Sequence, residues 1–357
     1  MSDLSLHAKR EKTGRVAAGA IAEKYLRLAY GVEIVAFVSS VGSEFLFPPS
    51  ADYPTMSTNP AFLKLIDGID RAQVDAFQPV RCPDAKASKR MEELIAGYRD
   101  RQDSIGGQVT CVIRNSPTGL GEPCFDKLEA VLAHAMLSIP ATKAFEIGSG
   151  FGGCQVPGSV HNDAFIKAPA PTPSNTNATA TSTSTPSSSS SSTQQPPSSS
   201  SPSSTPHSQS NGTLTPRDPN QNHNNNTTTT TTTNTNRKPR LTTKTNNSGG
   251  IQGGITNGAH IFFTVGFKPP ATIGQAQVTA GYDEADGTLE AKGRHDPCVV
   301  PRAVPIVEAM AALVLMDAVL AQGGRAAAAA AAAAAGSAAG LMVGGGGDGD
   351  GGGGARG

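Results

Sequence analysis

The chain has 357 residues, with 29 basic and 29 acidic side chains, no tryptophan and five widely spaced cysteines. That length allows one large or two modest domains, and the balanced charge argues against a basic surface for nucleic acid or an acidic one for a cationic partner. Cys82, Cys111, Cys124, Cys154 and Cys298 are odd in number and form no C-x-x-C pair, which argues against a disulfide framework and a structural zinc site and fits a reducing, cytoplasmic setting.

The start, MSDLSLHAKREK, is too polar for a secretory signal. The pattern then predicts a helix over 15–29, a strand over 32–38, a helix over 87–99 and a strand over 109–114. An amphipathic helix is predicted over 125–139, because Phe125, Leu128, Val131, Leu132, Met136 and Ile139 recur at spacings of three and four. Asp126 and Glu129 fall in its first turn, where the helix dipole favours them. Strands are expected at 143–147, 260–267 and 277–280. The last core element is a helix over 303–322, ended by Gly323 and Gly324. It is strongly apolar but carries Pro305, Glu308 and Asp317, so it reads as a buried helix and not as a membrane span. Helices and strands do not alternate regularly, which favours an α+β fold.

Composition divides the chain further. Residues 1–14 form a leader, 15–167 and 241–322 look globular, and 168–240 is a Ser/Thr/Asn/Pro tract almost without large apolar side chains. Such a tract cannot bury enough apolar surface to offset ordering entropy, so it is expected to be a disordered insertion within one domain. Residues 323–357 are a Gly/Ala tail whose ten-alanine run, 326–335, favours helix and whose Gly-rich end favours fraying.

Several short motifs suggest chemistry without specifying it. Gly148, Gly150 and Gly153 have dinucleotide-fingerprint spacing, but no helical pattern follows and Pro157 comes soon after, so a glycine-rich turn is the better reading. SGGIQGGITNG at 248–258 would let a flat ligand or phosphate approach the backbone closely, or would simply make a tight turn. In FKPPATIG at 267–274, Lys268 could hold a phosphate as a point charge on a segment stiffened by Pro269 and Pro270. KGRHDPC at 292–298 places Arg294, suited to bidentate anion binding, beside Asp296, a candidate base. Cys124 and His134 are ten residues apart and read as core packing, and His161-Asn162-Asp163 is too sparse for a metal site.

Taken together in order, RVAAGAIAEKYL from 15, RNSPTGLGEPCFDKLEAVLAHAMLSIPATKAFEIGSGF from 114, TNNSGGIQGGITNG from 245, FKPPATIGQAQ from 267 and KGRHDPCVVPRAVPIVEAMAALVLMDAVL from 292 resemble the chorismate synthase family, in wording closest to its fungal branch. The resemblance implies a β-α-β sandwich and a homotetramer. It implies 1,4-anti elimination of phosphate from 5-enolpyruvylshikimate 3-phosphate, with reduced FMN as cofactor and NADPH as a reductant of the flavin in the fungal branch. No nucleic acid and no membrane are expected as partners. Asp296 matches the carboxylate that the family uses with the flavin in proton removal, and Arg294 matches an arginine contacting flavin and substrate. Lys268, Pro269, Pro270, Ala271 and Thr272 match the flavin-phosphate loop; Pro140, Ala141 and Gly253 match other flavin contacts. Arg10, in HAKREK, matches a substrate arginine weakly. The family's Gly-Glu-Ser-His and Arg-Pro-Ser-His-Ala-Asp segments have no counterpart in these 357 residues. The rival reading is therefore a non-catalytic fragment that associates with longer chains.

Overall fold

The computed structural model describes residues 2–48, 50–167, 241–281, 283–291, 293 and 295–343, with side chains described only between 11 and 334. The elements in chain order are α1 (Ser2–Tyr30), β1 (Glu33–Val41), β2 (Glu44–Phe45), α2 (Pro60–Gly68), α3 (Arg71–Asp75), α4 (Ala85–Asp100), β3 (Gly107–Arg114), α5 (Leu128–Leu137), β4 (Thr142–Ile147), α6 (Gly158–His161), β5 (Phe165–Lys167), β6 (Leu241–Thr243), β7 (Ile251–Gln252), β8 (Ile255–Thr256), β9 (Ile261–Phe267), β10 (Gln277–Ala280), β11 (Asp286–Leu289) and α7 (Val300–Val343). The fold is α+β.

Five strands form one antiparallel sheet in the order β2-β1-β3-β9-β4. Because side chains alternate along a strand, each central strand feeds two cores. On one face, Ile34, Ala36 and Val38 of β1, Val109, Cys111 and Ile113 of β3, and Ile261, Phe263 and Val265 of β9 pack with Leu26 of α1, Leu132 and Met136 of α5, and Val304, Val307, Ala311 and Leu315 of α7. On the other, Val35, Phe37, Val112 and Phe262 pack under Phe62 and Ile66 of α2 and Val74 of α3. β9, from the second globular stretch, lies between β3 and β4 from the first, so one sheet draws on both sides of 168–240.

Local chemistry explains the element ends. Asn59 caps α2 by accepting from the N–H groups of Ala61 and Phe62, with Pro60 at the first helical position. Asp70 and Gln73 make a reciprocal capping box on α3, and Asp84 accepts from the Ala87 N–H to start α4. The buried Arg114 guanidinium donates to the Ile66 and Ile69 carbonyls at the end of α2 and pairs with Glu33 at 2.7 Å, which pins α2 to the sheet.

Three boundaries differ most from expectation. The first helix begins at Ser2, within the stretch read as a leader, and not at 15. The amphipathic helix begins at Leu128, not 125: Phe125 has φ +53° and is 89% exposed. The reason is tertiary, since the Leu128 N–H donates to the Gly254 carbonyl and the β7–β8 hairpin occupies the space a longer helix would need. The last helix does not stop at Gly323 and Gly324 but runs to Val343. The alanine run beyond them has the highest helix propensity of any residue type, and Arg325 pairs with Glu122 across the junction. The stretch Val300–Ala334 is long and apolar enough to cross a membrane, and roughly half of its most apolar window is buried inside this fold. Residues 168–240, expected to be disordered, and the Gly-rich end after 343 lie outside the described residues.

α7 carries one buried carboxylate. Glu308 accepts from the Ala36 N–H of β1 at 2.9 Å and pairs with Arg71 at 3.0 Å, and Arg71 also pairs with Glu23 of α1 at 2.8 Å. β2 covers only the end of β1, so Ala36 would otherwise present an unpaired amide at the sheet edge. Burial pushes the Glu308 carboxyl up to about 7, against the opposing pull of Arg71 and the Ala36 N–H.

Candidate active site

Asp296 lies just before α7 and lines a cavity of about 770 Å³, together with His295, Arg302, Arg99, Asp103 and Glu92. Its carboxylate is one-third exposed and pairs with Arg302, on the first turn of α7. The His295 ring nitrogen Nε2 lies 3.0 Å from the Ala291 carbonyl, which restrains the ring beside it. Arg294 and Lys292, the cations expected near Asp296, lie outside the described residues, so the cation seen on this carboxylate is Arg302.

The segment leading into β3 joins Asp296 to the proline-stiffened loop. The Ile105 N–H donates to the Pro297 carbonyl at 2.8 Å, next to Asp296. One residue earlier, the Ser104 hydroxyl donates to the Pro270 carbonyl at 2.6 Å, and the Gly274 N–H donates to the Gln102 carbonyl at 3.0 Å. Gly106 completes the join, because a Cβ there would run into the Phe267 carbonyl and crowd Pro269. Sequence reasoning missed this segment and Arg302. The adjacent glycines in DSIGGQV, just before a strand, were the available signal for close backbone approach.

Lys268 meets Ala141 directly: its N–H donates to the Ala141 carbonyl at 2.9 Å. Ala141 has φ +73°, a conformation that costs a non-glycine residue about 1–3 kcal/mol and is held here by its neighbours. Pro140, Lys268, Pro269, Ala271 and Thr272 are exposed, with Pro270 half-buried, and the Lys268 ammonium has no ion-pair partner among the described residues. An unpaired cation on a stiffened loop with an exposed Thr272 hydroxyl is a donor set that fits a phosphate monoester such as the end of FMN.

Gly253 is placed elsewhere. It forms the tight turn between β7 and β8 with φ +61°, and the space beside it is open. That hairpin docks on the start of α5, whereas Ala141 follows its end, and the ten residues between make about 15 Å of helix. The segment leading into the hairpin is anchored by the buried Asp163. Burial raises that carboxyl, but the Thr245 hydroxyl and the N–H groups of Asn247 and Ser248 outweigh it and hold it below the usual range. For Arg10 the backbone alone is described, within α1.

The alternative motifs resolve simply. Gly148 and Gly150 take positive φ in a turn that runs into a 3-10 helix, Gly150–Gln155, as a glycine-rich turn should. Cys124 and His134, expected in the core, are both exposed: His134 lies on the outward side of α5, and Cys124 lies in the loop before it.

Comparisons with known proteins identify the family and the fold. The chorismate synthase family model matches residues 5–186 and 212–320. A chorismate synthase of Neurospora crassa is 62% identical over 317 residues, covering 88% of this chain and 62% of the relative. Those of Schizosaccharomyces pombe and Saccharomyces cerevisiae are 50% and 48% identical, each over 88% of this chain and over 65% and 64% of their own length. The chain thus spans somewhat under two-thirds of the length of these relatives. A crystal structure of chorismate synthase superposes with a TM-score of 0.55 at 23% identity, over 88% of this chain and 64% of the other, which shows the shared fold. With matches on both sides of the 168–240 tract, in one order and one fold, the chain belongs to the chorismate synthase family.

Proposed function

We propose that the chain acts as a chorismate synthase, eliminating phosphate from 5-enolpyruvylshikimate 3-phosphate in a 1,4-anti sense to give chorismate. The observation that carries this reading is the Asp296 carboxylate, paired with Arg302 in the large cavity and tied through Pro297 and Ser104 to the Lys268 loop. The substrate loses a proton and a phosphate, so the site needs a base and cations. Asp296, paired with the Arg302 guanidinium, is the base. Arg302 and Arg99 are the cations of a lining that also carries Glu92, Asp103 and Glu290, and they are the groups there suited to an anionic substrate. Lys268 and Thr272 would hold the phosphate of reduced FMN, with the Lys268 backbone fixed by its bond to the Ala141 carbonyl. Reduced FMN, when bound, supplies the electron-rich ring that assists departure of phosphate without net redox change. NADPH as the flavin's reductant, a cytoplasmic location and a homotetramer belong to the same proposal, supported by the resemblance to the fungal branch.

Asp296→Ala is expected to lower turnover by about 10²–10⁴-fold with FMN affinity nearly unchanged, measured anaerobically with chemically reduced FMN and 5-enolpyruvylshikimate 3-phosphate. Near-parental turnover would remove Asp296 from the role. FMN titration followed by flavin fluorescence tests the loop independently of turnover: Lys268→Ala should weaken binding by about tenfold or more, as expected for a charge-assisted contact, and unchanged binding would sink the phosphate assignment.

A further inference from the structure

Between α4 and β3 runs a short connection, 101–106, that touches both of the loops the proposed reaction needs. Three consecutive residues make the contacts. The Ser104 hydroxyl donates to the Pro270 carbonyl at 2.6 Å, and the Ile105 N–H donates to the Pro297 carbonyl at 2.8 Å. Gly106 lies so close to the Phe267 carbonyl and to Pro269 that a Cβ there would meet both. Ser104 is buried, so its bond to Pro270 is sheltered from water. Joining a helix to a strand requires neither a buried side-chain bond to one distant loop nor a main-chain bond to another.

The proline loop has few other fixings. Pro269 and Pro270 carry no N–H, so this stretch cannot hold itself in place through its own amides. Its entry is tied by the Lys268 N–H to the Ala141 carbonyl, and at its exit the Gly274 N–H bonds the Gln102 carbonyl, which is itself part of the connection. Between these ends, the Ala271 carbonyl has a contact from the Gln277 side chain at the long distance of 3.5 Å, whereas the Pro270 carbonyl has the short bond from Ser104. The two rings fix φ, so a shift at the Pro270 carbonyl is passed on to Ala271 and Thr272 and not absorbed within the prolines. The connection is in turn fixed to the sheet, since the Gly106 carbonyl accepts from the Gly42 N–H at 2.9 Å in the turn after β1.

We propose that Ser104 is a positioning residue for the elimination, coupling the loop that takes the flavin phosphate to the carboxylate that takes the proton. This coupling rests on the function proposed above, with reduced FMN at Lys268–Thr272 and proton removal at Asp296. A cofactor held by its phosphate on one loop and working beside the other requires the two loops to keep a fixed spacing. A displacement of about 1 Å in such a site can cost about 10²-fold in rate. Ser104 touches neither substrate nor cofactor in this role. Tightening of the 268–272 loop passes through the Pro270 carbonyl to Ser104, and from Ser104 to the adjacent Ile105 N–H and the Pro297 carbonyl, one residue from Asp296.

The test follows amide hydrogen exchange at single-residue resolution in the 357-residue chain, with FMN and with riboflavin, which lacks the phosphate. Saturating FMN is expected to slow exchange at Thr272 and, through Ser104, at Ile105 by about threefold or more. Riboflavin should leave Ile105 unchanged, because the signal starts at the phosphate loop. In Ser104→Ala, FMN should still protect Thr272 but no longer Ile105. Turnover with chemically reduced FMN should fall in that variant by about 10–100-fold, with KM for 5-enolpyruvylshikimate 3-phosphate unchanged. Ser104→Thr, which keeps the hydroxyl, should restore both; a merely structural loss would not separate Thr272 from Ile105. FMN that protects Thr272 and leaves Ile105 as in the free chain overturns the coupling, a comparison that needs no variant, and leaves the proposed function standing. An Ile105 response that survives Ser104→Ala, or parental turnover in that variant, does the same. A chain that binds no FMN overturns the functional reading and the coupling together.

Discussion

The two faces of the five-stranded sheet solve the burial problem differently. Beneath α1, α5 and α7 nearly every inward side chain is apolar, and the one buried carboxylate, Glu308, is tied to Arg71 and a backbone amide. Beneath α2 the same strands present Ser39, Thr110, Thr264 and Glu146 among phenylalanines, and Ser39 goes unpartnered. The first face is built for cohesion, since it gains from apolar area and ties Glu308 to partners, with the buried Thr142 hydroxyl beside Phe267 as its unpartnered exception. The second gives up some cohesion to keep polar groups among its phenyl rings.

The largest effect that would sharpen this contrast comes from the helix face. Leu315 of α7 is fully buried, so Leu315→Ala should cost about 2–5 kcal/mol of stability in urea unfolding, through lost transfer energy and the cavity left behind. A cost near zero would mean that α7 does not hold the sheet as its packing indicates.

Glu308 gives a pH-dependent effect of intermediate size. Its carboxyl titrates near 7 when folded but in the ordinary range when unfolded, so the folded chain binds the proton more tightly. Stability from this group is therefore fully present at low pH and falls as pH rises from about 4.5 to about 7, by up to about 3 kcal/mol. Glu308→Gln, which carries no charge, should remove that slope. The variant should gain on the parent between pH 5 and pH 8, compared by urea midpoints at each pH; a difference that does not change with pH would refute the assignment.

The smallest effect is expected on the other face. Ser39→Ala removes a hydroxyl that has no partner, so it should change stability by no more than about 0.5 kcal/mol or raise it slightly. A loss of more than about 1 kcal/mol would show that the hydroxyl is satisfied in solution and that the two faces are less different than they look.

Much of the helix face was legible beforehand. The strands near 109–114 and 260–267, the first helix and the start of the last helix follow from periodicity, because those segments are long and bury one side. α2 and α3 were missed although their signals were present: Asn59-Pro60 is a cap followed by a first-turn proline, and Asp70 with Gln73 is a capping box. They are short, and their apolar residues do not sustain a period long enough to stand out. The start of α5 could not be found from its pattern, because Phe125 continues the period but is turned outward by the docked hairpin.

The candidate site divides the same way. The residues of Lys268–Thr272 and Asp296 could be named from the chain because the likeness to the family is carried in contiguous words, and a contiguous segment keeps its own chemistry wherever it folds. Sequence alone also determined the family and the α+β class, both of which depend on local order along the chain. Only the tertiary structure decided that Arg302 meets Asp296, that Ile105 and Ser104 bond to the Pro297 and Pro270 carbonyls, that Gly253 sits at the other end of α5 from Ala141, and that Ser39 is left without a partner. Each of these is a contact, or a missing contact, between groups far apart in sequence. It depends on how the sheet bulges and where the helices dock, and local pattern does not encode that.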